Sequence, residues 1–176
     1  ARGRAIVNIV QLNPGEKITT ILPVLDNEEG YLVMATKNGV IKKTKKKEFD
    51  RIMRSGKIAI KINEDDELIS VHFAKAGEEI IVASRFGKCI RFKESDVRPM
   101  GRDTVGVRAI RLRGGDRVVD MLVLKEGFDI LTVSENGYGK RTDPVDYRLQ
   151  SRGGMGIKSG VFNEKTGLLV NMKLVT

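Results

Sequence analysis

The feature that most restricts how this chain can fold is an internal repeat with a period near 50 residues. Three stretches, YLVMATKNGVIKKT (31–44), IIVASRFGKCIRF (80–92) and ILTVSENGYGKRT (130–142), each run apolar strand, turn glycine, basic strand. Their turn glycines, Gly39, Gly87 and Gly137, lie 48 and 50 residues apart. A second marker keeps time with the first: GKIAIKI (56–62), GVRAIRL (106–112) and GIKSGVF (156–162) begin at glycines 50 residues apart, and Gly3 opens a further copy, GRAIVNI. A unit of this length with four short strands cannot bury its apolar face alone. It gains a continuous core by stacking on its neighbours, as the blades of a propeller do.

The strands themselves are legible as short apolar or alternating runs: AIVNIV (5–10), ITTILPV (18–24), YLVMAT (31–36), KIAIKI (57–62), ISVHF (69–73), EIIVAS (79–84), VVDMLVL (118–124), DILTVS (129–134) and LLVNMKLV (168–175). Glycine, at 19 of 176 residues, leaves little room for helices, so the chain reads as all-β. Counting two strands before Tyr31 and three sets of four gives fourteen, or about three and a half four-stranded blades, divided at roughly 1–30, 31–79, 80–129 and 130–176. Such an array leaves sheet edges open at both ends, which invites pairing. Asn38-Gly39 and Asn136-Gly137 predict two-residue type I′ hairpin turns, with positive φ at both central positions.

Composition enters through charge. The chain carries 32 Lys plus Arg against 23 Asp plus Glu, a net +9, which calls for an anionic partner: nucleic acid, an acidic protein or a membrane face. Divided along the repeat, residues 31–62 hold +8, 80–112 hold +5 and 130–161 hold +2, whereas 13–30, 63–79 and 113–129 hold −3, −5 and −1. Positive charge therefore occupies one phase of the repeat and negative charge another. With regular stacking, one phase falls on one rim, forming a track for the phosphates of a duplex, whose condensed counterions are released on binding. The candidate contacts are Lys42, Lys43, Lys45, Lys46 and Lys47, then Lys88, Arg91 and Lys93, then Lys140, Arg141 and Arg152. Lys43, Arg91 and Arg141 each follow a turn glycine by four residues, and Lys43, Lys45 and Lys47 are expected on one side of a strand. A lysine-rich edge strand that resists aggregation is the plainer reading of 40–47, but it leaves the recurrence unexplained.

Other chemistries find little support. One Cys and one His can form neither an internal disulfide nor a four-ligand zinc site, a cysteine usage that suits a reducing, cytoplasmic setting. No run approaches the ~20 apolar residues of a membrane-spanning helix. His72 reads as a packed or surface strand residue, Cys89 as a small buried hydrophobe, and Glu28, Glu29 and Glu64 to Glu67 as loop acids. With six Phe, three Tyr and no Trp, stacking platforms for single strands are scarce, and nothing resembles a base-reading helix. The expected contact is with duplex backbone, any sequence preference coming from deformability.

ARGRAIVNIVQLNPGEKITTILPV (1–24), DVRPMGRDTVGVRAIRL (96–112) and ENGYGKRT (135–142) closely resemble the C-terminal domain of the A subunit of DNA gyrase, and the likeness runs along the whole chain. The resemblance implies a β-pinwheel, a propeller relative in which neighbouring blades exchange an outer strand, usually with six blades. It implies binding and bending of duplex DNA around a basic rim, within a type II topoisomerase that introduces negative supercoils. Partners would be duplex DNA, the B subunit of gyrase and the rest of the A subunit; ATP and Mg are expected elsewhere in the holoenzyme, and no cofactor in this segment. The family's Gln-Arg-Arg-Gly-Gly-Lys-Gly motif is expected upstream of Ala1. Gln150 to Gly156 looks like a later copy, keeping Gln150, Arg152 and the glycines while Ser151 and Met155 replace two basic positions. The family's catalytic tyrosine belongs to a separate core, so Tyr31, Tyr138 and Tyr147 take no such role. The related domain of topoisomerase IV is the alternative within the class; a protein-interaction propeller with an acidic partner is the alternative outside it.

Overall fold

A computed structural model describes residues 3, 5, 10, 12–25, 27–51 and 56–176. Among these, eleven strands form three antiparallel sheets: β1 (Tyr31–Thr36), β2 (Val40–Lys45), β3 (Leu68–Ala74), β4 (Glu79–Ser84), β5 (Lys88–Lys93), β6 (Val107–Arg108), β7 (Val118–Val123), β8 (Asp129–Ser134), β9 (Gly139–Thr142), β10 (Ile157–Lys158) and β11 (Leu169–Val175). The sheet orders are β3-β1-β2-β6, β10-β5-β4-β7 and β11-β8-β9. The helical structure described consists of one-turn 3-10 segments after each hairpin, Lys46–Phe49, Glu94–Asp96 and Pro144–Asp146. The chain is all-β, as its repeat requires.

The strand order exposes the exchange between units. Three strands of each sheet come from one repeat, but in the first two sheets the short outermost strand comes from the next: β6 pairs Arg108 with Val40 and Val107 with Ile41, and β10 pairs Ile157 with Cys89 and Lys158 with Lys88. Glycine makes the crossing possible. Gly106 and Gly156 have φ of 106° and 69°, and a Cβ built on them would stand 2.6 Å from the Ile41 carbonyl oxygen and 2.4 Å from that of Cys89. A side chain there meets backbone that cannot yield. The recurring G of the second sequence marker is thus a contact between repeats.

This exchange also accounts for KIAIKI. Its alternation predicts a strand at 57–62, yet these residues form none. The segment is the first copy of the arm that becomes β6 and β10, and among the described residues no sheet precedes Tyr31 to receive it. Gly56 keeps the left-handed φ of 73° but faces nothing within 4 Å, and Ile58 stays 62% exposed. ITTILPV (18–24) forms no ladder either, and AIVNIV (5–10) falls mostly outside the described residues.

The hairpin turns differ from the type I′ expectation as well. Gly39, Gly87 and Gly137 have φ near 80°, but no non-glycine residue described has positive φ, so Asn38 and Asn136 do not occupy a mirror-image turn. Each loop is longer by one residue, with the glycine amide donating to the carbonyl of Thr36, Ser84 or Ser134 at 2.9 to 3.1 Å. The asparagines serve another purpose: Asn38 Nδ2 donates to the Asp65 carbonyl, and Asn136 Nδ2 donates to those of Glu164 and Lys165. They tie each turn to the loop before its inner strand.

The core sits between sheets. Val33, Ala35 and Ile41 of the first sheet meet Ile80, Val82, Ile90 and Phe92 of the second, while Ile81, Ala83 and Cys89 face Ile130, Leu169 and Met172 of the third. Alternate residues of β4 point to opposite neighbours, so Ile80 to Ala83 are all fully buried and the strand reads as an unbroken apolar run. Each such aliphatic side chain contributes about 1.5–3 kcal/mol of burial.

Candidate nucleic-acid interface

Stacking along β3, β7 and β11 turns the opposite edges of the sheets, β2 with β6 and β5 with β10, outward. These edges decide where the predicted cations lie. Lys42 is 0% exposed, and its ammonium donates to the carbonyls of Ala59 (2.6 Å) and Arg102. Burial holds its pKa below the ordinary lysine value. Lys43 is 3% exposed; its ammonium pairs with the Glu94 carboxylate and sits 4.3 Å from the centre of the Tyr31 ring. Both lysines hold the fold together and neither meets solvent, which corrects their assignment as phosphate contacts. Lys43, Lys45 and Lys47 do not share one exposed side: Lys45 and Lys47 are exposed, but Lys43 is not.

The cation four residues past each turn glycine has a common fate. Arg91 donates to Glu79 Oε2 at 2.6 Å from Nε, and to the carbonyls of Pro144 (2.7 Å) and Tyr147 (3.1 Å) from Nη1. Arg141, although exposed, pairs with Asp129. Glu79 and Asp129 open the first strand of their hairpins, twelve residues before the arginine. Tyr31 takes that place in the first repeat, so Lys43 draws its carboxylate from the following repeat. The recurrence therefore encodes internal ion pairs, satisfied most completely at Lys43 and Arg91.

Of the remaining predicted residues, Lys93 is exposed at the end of β5 and Lys88 is partly exposed on the same strand. Lys140 is exposed, with Nζ 3.4 Å from the Ser159 carbonyl. Lys46 donates to the carbonyls of Leu25 (2.6 Å) and Glu28 (3.0 Å), and Lys45, Lys46 and Lys47 line an open groove with Glu28 and Glu29. Arg152 donates to two carbonyls, Asp96 from Nε and Arg108 from Nη1.

Beside these hairpin strands the structure sets four exposed cations that the hairpin pattern missed: Arg98, Arg108, Arg148 and Lys158. Arg108 lies on β6 opposite Val40, and Lys158 on β10 opposite Lys88. Pro99 bridges Lys43 and Leu149 bridges Arg91, which sets Arg98 and Arg148 beside the other end of the same edges. Each basic edge is thus composite, made by the hairpin of one repeat and the arm of the next: Lys45, Lys47, Arg98 and Arg108 on the first sheet, Lys88, Lys93, Arg148 and Lys158 on the second. The available signal was their spacing, since Arg98 and Arg148, like Arg108 and Lys158, stand 50 residues apart.

Other reactive groups are withdrawn from solvent. Burial pushes the Cys89 thiol up to about 12 and the Tyr147 phenol up to about 12, so neither ionises near neutral pH. Among the described residues no three His, Cys, Asp or Glu side chains could jointly hold a metal ion, and no helix is long and apolar enough to cross a membrane.

Comparison with known proteins agrees with this architecture. The family model described as "DNA gyrase C-terminal domain, beta-propeller" matches residues 30–75, 78–125 and 129–176. The DNA gyrase A subunit of Escherichia coli K12 is 49% identical over 171 residues, 97% of this chain, and that of Staphylococcus epidermidis ATCC 12228 is 44% identical over 180, 100% of the chain. The chain spans about 20% of the length of these relatives. A solved DNA gyrase A C-terminal domain superposes with a TM-score of 0.87 at 32% identity, covering 100% of this chain and 59% of its own. The C-terminal domain of a DNA topoisomerase IV reaches the same TM-score at 23% identity, covering 99% and 55%, a likeness of fold.

Proposed function

This chain belongs to the DNA gyrase C-terminal domain family, and from that premise we propose that it binds and bends duplex DNA along its composite basic edges as part of a gyrase A subunit. The single observation that carries the reading is the exposure of Lys45, Lys47, Arg98 and Arg108 along one outer edge, repeated by Lys93, Arg148 and Lys158 along the next. Each cation that settles on a phosphate releases a condensed counterion, and the entropy of release drives association. The phosphates are the same for every sequence, so such contacts fix the path of the duplex without reading bases.

Within the holoenzyme, a bent duplex held here presents a second segment for strand passage, and negative supercoiling follows from the B subunit working with the remainder of the gyrase A chain. ATP and Mg act in those parts. This segment supplies positive charge on a rigid outer surface and takes no part in bond breaking.

Binding of unrelated duplexes, measured at several salt concentrations, is expected to give a steep linear fall of log affinity with log salt, about 0.9 per phosphate neutralised. Replacing Lys45 and Lys47 with Gln lowers that slope by about 2 and weakens all sequences alike. A flat salt dependence would remove the phosphate account and favour an acidic protein partner.

A further inference from the structure

Arg102 and Arg152 occupy one slot of the repeat, 50 residues apart and four residues before the crossing glycines Gly106 and Gly156. Each sends a guanidinium back to the arm of the preceding repeat. Arg102 Nη1 donates to the Ile58 carbonyl at 3.1 Å, and Arg152 Nη1 donates to the Arg108 carbonyl at 3.1 Å. Arg152 Nε also reaches the Asp96 carbonyl at 2.9 Å. Backbone bonds flank each clip in the same way, Lys61 N to the Thr104 carbonyl at the first junction and Arg111 N to that of Gly154 at the second. At the first junction the Arg102 carbonyl accepts from the buried Lys42 ammonium, which also holds Ala59. The arms are therefore chained, each bound to the one before it.

The second and third arms carry Arg108 and Lys158. Whatever sets the angle between arms also sets the distance from one basic edge to the next. We propose that Arg152, with Arg102 in the preceding junction, is a positioning residue that fixes this angle and so the curvature imposed on a bound duplex, and is not itself a phosphate ligand. The inference rests on the DNA-binding reading for its consequence, but the clip stands on geometry alone. A charged, planar fork suits two carbonyls from neighbouring segments; an ammonium keeps the charge and loses the fork.

The test uses the chain with Arg152→Gln, Arg152→Lys and, as a second variant at the other junction, Arg102→Gln, each checked for a cooperative thermal transition. Two synthetic duplexes serve as probes: one too short to reach a second edge, and one long enough to lie across both, with a donor and acceptor dye at its ends. Arg152→Gln is expected to reduce the energy transfer of the long duplex at saturation while leaving short-duplex affinity within about twofold and the salt slope unchanged, and Arg152→Lys is expected to behave like Gln. A short-duplex loss with a slope lower by about 1, rescued by Lys, marks a phosphate ligand and overturns the proposal. Where the unsubstituted chain bends the long duplex, energy transfer unaltered by Arg152→Gln overturns it too.

A second measurement needs no DNA. Spin labels on Arg113→Cys and Glu164→Cys, both exposed positions, report the distance between the second and third repeats, the buried Cys89 being protected from labelling. A distribution broadened by Arg152→Gln supports the clip even if the chain proves not to bend duplex, an outcome that would count against the DNA reading alone. An unchanged distribution refutes the clip.

Discussion

At the scale of single residues, similar side chains acquire different jobs from small differences in surroundings. Gly56 and Gly156 share a left-handed backbone, with φ of 73° and 69°, yet only Gly156 abuts a neighbouring carbonyl. Gly56→Ala is expected to cost about 1–2 kcal/mol, the left-handed penalty alone. Gly156→Ala should cost clearly more, a difference read directly from urea midpoints. His72 gives a second prediction. Burial, opposed by the charge of Asp120 and a hydrogen bond to the Met121 carbonyl, holds its pKa below 6.5, with Lys173 and Lys125 also disfavouring the cation. The unfolded chain then binds a proton that the folded chain refuses, so stability falls as pH drops from 6.5 toward the depressed folded value. Asp120, raised by burial, acts oppositely in its own window, gaining stability as pH falls toward 3.8. His72→Gln should flatten the loss just below pH 6.5 and, by removing a charge that lowers the Asp120 pKa, extend the Asp120 window upward, a contrast visible in thermal midpoints across pH.

At the scale of elements, the sequence disclosed strands better than their partners. β1, β4 and β8 carry the boundaries that their apolar runs predict, because burial on one or both faces fixes both composition and length. KIAIKI failed as a strand for a reason no local pattern holds: a strand needs a neighbouring edge, and that edge must come from another repeat. The turn type failed for a similar reason, since Asn-Gly reports a tendency while the loop length decides the geometry. Burial also sorts the cost of truncation. Ile80, sealed between two sheets at 0% exposure, should lose about 2–5 kcal/mol on replacement by Ala. Leu131 on β8, which is only partly buried, should lose markedly less. Chemical denaturation of the two variants would reverse this expectation if Leu131→Ala proved the costlier.

At the scale of the whole molecule, the charge arithmetic located a basic rim and misplaced some of its members. Summing by repeat hid the fact that Lys42 and Lys43 face inward, because a lysine run in sequence says nothing about which ammonium finds a carbonyl or carboxylate. It also hid the composite nature of each edge, since Arg108 belongs by sequence to the second repeat and by pairing to the first sheet. Paired replacement therefore distinguishes grouping by sequence from grouping by sheet. Lys88→Gln and Lys158→Gln, cross-strand partners that come from different repeats, should weaken a short duplex non-additively, whereas Lys45→Gln with Lys158→Gln should combine additively in equilibrium titrations.

The borrowed strand also orders events in time. The first sheet ends its own hairpin at Lys45, but its last strand begins at Val107, so during synthesis the finished edge waits for some sixty further residues to be made. At ribosomal speeds of about 5–20 residues per second, that wait is on the order of several seconds. Throughout it the outer amides of Val40 to Lys45 are open to strangers, and the lysines flanking them repel another nascent chain of the same kind.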